Sequence, residues 1–417
     1  MTRPVRFIHA ADIHLDAPFK GVDATDARVR RALVDATYES FERVVSLALE
    51  HAVDFIVLAG DSYDSRDKSF RAQSSFQAAM ERLAGAGIDV FVAQGNHDPA
   101  NGWSAGLPLP ERVHYFPTDS VGRFEVERDG ELLAAVYGRG YAIAAVGENL
   151  ARGFRRDAGD PVAVAVLHAN VGGDPSHEAY APCSVEDLRA ARMDYWALGH
   201  IHKPGRVADE PRAVYAGSPQ GLNPKESGAH GCYLVEAGPG SVSETFHPTA
   251  SVSWVRVEVD AGRLEGLDDV RRAIRETCAS IRGEAGTPVV ARIELVGRSP
   301  IHADLARGTN AAELLAEARD EQLAAEPWLW IDRLRDRTSP TLDLDEVRAG
   351  ADFAADFVRL VDEVLADTAA VASLVREAAG PVEGAVGVVD LGSSAAEIVE
   401  RARETCLDRL LADGETR

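Results

Sequence analysis

Five short apolar runs, each closing on a polar residue able to bind a metal, constrain the fold of this chain more than any other feature. Val5 to Ala10 leads into Asp12 and His14, Phe55 to Ala59 into Asp61, and Ile88 to Ala93 into Asn96 and His97. Val162 to Leu167 leads into His168, and Tyr195 to Leu198 into His200 and His202. Runs of this length, rich in Val and Ile and closed by Gly or a polar turn, predict buried strands. In an open α/β sheet, ligands gather beyond the carboxyl ends of the strands, where all of these groups would project. One site built from five strand ends is the economical reading.

The segments between these runs support layered α/β packing. Thr25 to His51 reads as a long helix whose Leu33, Thr37, Phe41, Val44, Val45 and Ala48 keep one apolar stripe. A second helix is expected from about Ser69 to Ala84, and the β-α-β-α-β order predicts parallel strands with right-handed crossovers. The Pro- and Gly-rich stretch Pro99 to Pro110 reads as a loop. Arg123 to Val126 and Leu132 to Tyr137 flank Arg128-Asp129-Gly130, a hairpin signal. Ala142 to Phe154 is expected to be helical. Beyond His202 come short β-rich pieces at Ala213 to Ala216, Gly231 to Val235 and Ser253 to Val259, then a helix over Leu264 to Arg282 and a strand over Pro288 to Leu295. Phe353, Phe357, Leu360, Val361, Val364 and Leu365 recur at helical spacing, and Ile398, Ala402, Cys406 and Leu410 at steps of four. Gly380 to Ser394, rich in Gly and Val, reads as a flexible connection. The expected organisation is a first domain over residues 1–250, an α+β cap over 252–345 and a helical region over 346–417.

A length of 417 residues fits two or three domains. No stretch approaches a membrane span, and Met1-Thr2-Arg3-Pro4 runs into the first strand without a signal-peptide core, so a cytoplasmic protein with no membrane association is expected. Four dispersed cysteines, with no CxxC, point to reduced and chemically bland thiols. The formal charge of -23 is spread over both halves and argues against a broad basic footprint for nucleic acid.

Carboxylate and imidazole ligands suit divalent first-row metals such as manganese, iron or zinc. Asp12, His14, Asp61, Asn96, His168, His200 and His202 are too many for one ion that must also hold water. Two ions about 3.5–4 Å apart, bridged by a shared carboxylate, would use them all. Such a pair can ionise a bridging water and clamp the oxygens of a phosphoester undergoing in-line attack.

The pattern is also specific. Asp12-Ile13-His14, Gly60-Asp61-Ser62-Tyr63-Asp64, Gly95 to Asp98, the lone His168, and Gly199 to His202 together resemble the calcineurin-like metallophosphoesterase family in order and spacing. That resemblance implies a layered α/β/β/α sandwich. It also implies that Asp12, His14, Asp61 and His202 hold one metal while Asp61, Asn96, His168 and His200 hold the other. By the same resemblance His97 contacts the phosphate and assists the departing oxygen, with Asp98 orienting it. Within the family the layout is similar to the SbcD-type DNA repair exonucleases, and to their YhaO-like branch from His9-Ala10-Ala11-Asp12-Ile13-His14-Leu15-Asp16. Ala216-Gly217-Ser218-Pro219, the α+β segment and the terminal helices carry this finer likeness. It implies two Mn2+ ions, exonuclease or single-strand endonuclease activity on DNA, an SbcC-type coiled-coil ATPase of the SMC-like class as partner, and a homodimer.

Blander readings stand beside these. Asp64 is expected to pair with Arg66 or Lys68 at the surface, and His9, inside the first run, to be a core or supporting histidine. Trp328 and Trp330 alternate as a packed strand would, although aromatics can also stack on bases. Arg333, Arg335 and Arg337 alternate likewise and could form a phosphate-binding rail, unless Asp332 and Asp336 neutralise it. The terminal helical stripes would ordinarily fold against the body, with a partner-docking hairpin as the alternative. Competing functions are a small-molecule or protein phosphatase on the same domain, or a metal-free scaffold.

Overall fold

The computed structural model describes residues 4–22, 24–173, 178–305, 307, 309–379 and 395–412; the expected connection Gly380 to Ser394 lies outside them. In chain order the first elements are β1 (Val5–Ala10), α1 (Ala27–Glu50), β2 (Phe55–Ala59), α2 (Phe70–Gly85), β3 (Asp89–Ala93), β4 (Val113–Tyr115), β5 (Gly122–Arg128), β6 (Glu131–Arg139) and β7 (Ala163–His168). There follow α3 (Val185–Ala190), β8 (Tyr195–Gly199), β9 (Gly205–Ala208), β10 (Arg212–Tyr215), β11 (Gly231–Gly238) and β12 (Ser241–Pro248). The chain ends with β13 (Ser253–Asp260), α4 (Leu267–Ala285), β14 (Val289–Arg298), α5 (His302–Leu305), α6 (Asn310–Leu323), β15 (Leu329–Ser339), α7 (Leu344–Ala349), α8 (Phe353–Ala366), α9 (Thr368–Ala379) and α10 (Ala395–Ala412).

Two six-stranded mixed sheets, ordered β12-β11-β1-β2-β3-β4 and β5-β6-β7-β8-β10-β9, form a sandwich. Strands β1, β2, β3 and β4 run parallel, as do β6, β7, β8 and β10, so the five ends that carry the expected ligands point the same way within each sheet. Side chains alternate across each strand. Phe7, Phe55, Val57 and Phe91 therefore face Val136, Val164, Val166, Tyr195 and Ala197 between the sheets. Phe7 stacks on Phe55 at 4.6 Å between centroids and meets Tyr195 edge-on. The opposite face of the first sheet buries Ile8, Ile56, Leu58, Val90 and Val92 under Phe41, Val44 and Val45 of α1 and Phe76, Met80 and Leu83 of α2. Asp26 and Ser69 cap these two helices, each accepting from backbone N–H groups of the first turn. Asp129 and Gly130 both take positive φ in the two-residue turn joining β5 to β6, the geometry that suits right-twisted hairpins.

Two expectations fail. Ala142 to Phe154 holds only a one-turn 3-10 helix at Leu150–Gly153. Leu150, Ala151 and Phe154 are buried, but Ile143 is half-exposed and its neighbours lie outside, so no continuous face exists to drive a longer helix. In α10 the expected stripe is out of phase: Ile398, Ala402 and Cys406 are exposed, whereas Ala395, Val399 and Leu407 are buried. Arg403 takes the intervening inward position because Asp362 of α8 accepts from its guanidinium at 3.0 Å.

The chain divides into two compact units, Met1–Val257 with Ile274–Ile293 and Leu314–Leu334, and Glu258–Ala273 with Glu294–Glu313 and Arg335–Arg417. In the first, Trp254, Trp328 and Trp330 pack with Val29, Leu33 and Ala36 of α1, so the alternating tryptophans are core residues. In the second, α8, α9 and α10 pack through Val361, Val364, Val371, Val375 and Val399. The three-stranded sheet β13-β14-β15 contributes residues to both. All four cysteines are free thiols.

Phe55→Ala should cost about 3–5 kcal/mol in a urea unfolding experiment, because it empties a fully buried aromatic site between the sheets. A loss well under 1 kcal/mol would contradict its place in that core.

Candidate metal centre

Backbone geometry at the strand ends brings the polar residues together. Asp12 N donates to Gly60 O and His14 N to Asp61 O, both at 3.0 Å, which fastens the turn after β1 to the turn after β2. His168, the last residue of β7, is in register with Gly199 at the end of β8. Asp12, His14, Asp61 and His200 all adopt positive φ, between 47° and 98°. Left-handed backbone at non-glycine residues costs free energy and persists where the surroundings enforce it, so strain is concentrated at these turns. Two glycines make the approach possible. A Cβ on Gly60, itself at φ +91°, would lie 2.3 Å from the His168 ring, and one on Gly95 would lie 2.3 Å from an Asp61 carboxylate oxygen.

The donor atoms form overlapping groups. Ligand atoms of Asp12, His14 and His202 lie within 4.8 Å of one another, as do those of Asp12, Asp61 and His168, and those of His14, Asp61 and His97. Asp61 is shared. Its Oδ1 accepts from His97 N, while Oδ2 stands 3.8 Å from His14 Nε2 and 3.4 Å from His168 Nε2. Asn96 Oδ1 lies 3.0 Å from His168 Nε2. The Asp12 carboxylate accepts from His200 N. The His200 ring sits 5.2 Å from that of His168, with Nε2 against the Glu178 carbonyl, so a metal would be met by Nδ1. All seven expected ligands therefore border one centre.

The centre fits cations. His14 Nε2 and His202 Nε2 face each other at 3.2 Å, and no Lys or Arg reaches Asp12 or Asp61 among the described residues. Buried carboxylates are costly unless protons or cations accompany them. Burial pushes the Asp12 carboxyl up to about 6, partly offset by His168 and His202. Burial acts on Asp61 in the same sense, but His168 and His14 beside it overcome this and hold it well below the usual range. Burial lowers His14 to about 3, so its imidazole is neutral at pH 7 and able to ligate. Burial also disfavours the charged form of His168, yet Asp61 and Asp12 outweigh it and raise the group to about 9. Divalent ions held here would supply Lewis acidity toward a phosphate and ionise a water.

His97 lies at the edge of the centre, its ring 4.9 Å from that of His14. Asp98 does not orient it. The Asp98 carboxylate accepts instead from the backbone N–H groups of Asp61, Ser62 and Gly95, bracing the two ligand turns, because its side chain is buried beneath them. The carboxylate on the His97 ring is Asp64, with Oδ2 2.8 Å from Nδ1. Asp64 pairs with Arg66 as expected, but the same oxygen that meets Arg66 serves His97. Asp64 stands in the second motif, so the signal was present in the sequence. Glu226 was missed altogether: its Oε1 accepts from His202 Nδ1 at 3.0 Å, from a segment without a recognisable pattern. His9 is fully buried between the Tyr195 hydroxyl and the Leu198 carbonyl, a core histidine. Arg333, Arg335 and Arg337 occupy alternate positions of β15, each about half-exposed, Arg333 beside Asp332 and the other two beside the buried Glu294. No helix among the described residues is long and apolar enough to cross a membrane.

Comparison with known proteins identifies the family. The family model for calcineurin-like phosphoesterases matches residues 5–204, and that for the middle domain of the metallophosphoesterase YhaO matches 254–339. The uncharacterized metallophosphoesterase YhaO of Bacillus subtilis is 33% identical over 345 residues, covering 82% of this chain and 84% of that protein. The chain belongs to the calcineurin-like metallophosphoesterase family. More distant similarity links this metallophosphoesterase to the DNA double-strand break repair protein Mre11 of Haloferax volcanii, at 30% identity over 69% of this chain and 64% of that one. The SbcD component of the nuclease SbcCD from Bacillus subtilis is 26% identical, over 62% of this chain and 71% of its own. A dimetal phosphatase structure from Danio rerio aligns over 60% of the metallophosphoesterase and all of its own chain, at 14% identity and a TM-score of 0.35.

Because Asp12 and His168 must each lose a proton to ligate, and the two groups are raised to about 6 and about 9, manganese affinity should climb with pH throughout the interval from 5 to 8. Calorimetric titration between pH 5 and 8 checks this. An affinity independent of pH across that window would contradict ligation by Asp12 and His168.

Proposed function

We propose that this metallophosphoesterase is a two-metal DNA nuclease that hydrolyses phosphodiesters in DNA repair, working in the cytoplasm with an SMC-like coiled-coil ATPase of the SbcC type. The carrying observation is the convergence of Asp12, His14, Asp61, Asn96, His168, His200 and His202 on one buried centre with Asp61 shared between its halves. In this reading two Mn2+ ions are held there, one by Asp12, His14, Asp61 and His202 and the other by Asp61, Asn96, His168 and His200. His97 stands at the rim, where it can give a proton to the leaving oxygen, and Asp64 holds its ring.

DNA as substrate draws support from the relatives whose names describe break repair and nuclease activity, and from the segment beyond residue 250, which a solitary phosphatase does not need. Residues 252–345 would be the DNA-binding cap, with Arg333, Arg335 and Arg337 as phosphate contacts. Residues 346–417 would dock the ATPase: Phe353, Leu360, Leu374 and Ile398 all remain substantially exposed on these helices. The active form would be a homodimer. A small-molecule or protein phosphoesterase is the second reading, favoured by the charge of -23, which repels a polyanion.

Purified protein with manganese should cleave labelled single- or double-stranded DNA as well as a chromogenic phosphodiester; cleavage of the chromogen alone would favour the second reading. His97→Ala should keep its metal and lose roughly 10²–10⁴-fold in turnover. Unchanged turnover would take His97 out of the chemistry. Asp61→Ala should weaken both ions together, and loss of only one would contradict the shared role.

A further inference from the structure

We propose that Glu226 is a positioning residue for the metal centre, fixing the His202 imidazole in the tautomer and orientation that present Nε2 as a ligand. This rests on the dinuclear reading above. Glu226 lies in the stretch between the two segments that the family models match, 5–204 and 254–339.

The side chain is held on both oxygens. Oε1 accepts from His202 Nδ1 at 3.0 Å and from Asn223 Nδ2 at 2.7 Å, and Oε2 accepts from Leu222 N at 2.7 Å. With Nδ1–H committed to the carboxylate, the neutral ring turns its Nε2 lone pair toward His14 Nε2, 3.2 Å away. A carboxylate behind a metal-bound histidine fixes the ring and raises its basicity. The backbone around Glu226 is tied down as well. Ser218 N donates to His202 O at 3.0 Å, Trp254 Nε1 to Gly221 O at 2.7 Å, and the Gln220 amide to Val252 O at 2.7 Å. His230 Nε2 meets the Glu226 carbonyl at 3.1 Å. Residues 218–230 thus form a strap that carries one carboxylate to one ligand.

The arrangement makes a sharp distinction between Glu and Gln. All three partners of the carboxylate are donors, and an amide offers only one acceptor oxygen. In Glu226→Gln either the His202 ring or the Leu222 N–H must face an NH2 group, whichever way the amide is turned.

Manganese titration of the full-length protein by calorimetry tests this. Wild type should take up two ions, and Glu226→Gln should bind one of them 10–100-fold more weakly while leaving the other unchanged. Asn223→Ala, which keeps the bond to His202, should bind both as wild type does. Equal affinities in wild type and Glu226→Gln would overturn the role of Glu226 and leave the metal centre standing. Wild type that takes up no manganese would overturn the dinuclear reading itself. Should Glu226→Gln fail to fold, the wild-type protein still decides: long-range 15N–1H NMR at alkaline pH should find the His202 proton on Nδ1, and a proton on Nε2 would refute the proposal.

Discussion

Buried carboxylate charge at the carboxyl ends of two facing sheets is the constraint on which the rest of this structure depends. Asp12 and Asp61 are almost fully enclosed, and their neighbours are imidazoles rather than arginines or lysines. An isolated ionised carboxylate in such surroundings is costly, so the arrangement is stable only if protons or metal ions fill the space between the donors. Around these two side chains the backbone accepts strain at four ligand residues and gives up a Cβ at Gly60 and Gly95. Positive φ at Asp12, His14, Asp61 and His200 is left-handed backbone that non-glycine residues adopt at a cost in free energy.

The acids of the centre divide their work by what they touch. Asp12 and Asp61 offer oxygens to the interior of the site. Asp98, one residue after His97, faces the opposite way, and burial together with the nearby Asp61 pushes its carboxyl up to about 6 while the Gly95 and Ser62 N–H groups pull against that rise. It is a brace between the second and third ligand turns. Asp64 and Glu226 each address one imidazole at Nδ1, His97 and His202 respectively, so that Nε2 is the nitrogen turned away from each carboxylate. Two histidines with different proposed duties are thus held by the same device.

The strand ends and the polar residues gathered beyond them were legible in the sequence because both signals are local. A run of Val and Ile ending in Gly-Asp or Gly-Asn-His marks a buried strand and the turn beyond it without knowledge of the remainder. Orientation was less legible. Asp98 sits beside His97 in the chain and still points away, while Asp64, 33 residues distant, makes the contact. Glu226 carried no motif, since a carboxylate supporting a ligand needs only to arrive in the right place. The segment Ala142 to Phe154 was expected to be helical, yet its first half is mostly exposed and offers no continuous buried face, and tertiary context overrode propensity. In α10 an inward Arg403, satisfied by Asp362, shifted the buried face by one residue relative to the apolar count.

Electron paramagnetic resonance of the protein loaded with two equivalents of Mn2+ is the most direct examination of the shared-carboxylate centre. Ions about 3.5–4 Å apart through Asp61 should give an exchange-coupled spectrum in place of the isolated six-line signal. Two independent six-line centres, or a single equivalent bound at saturation, would contradict the account.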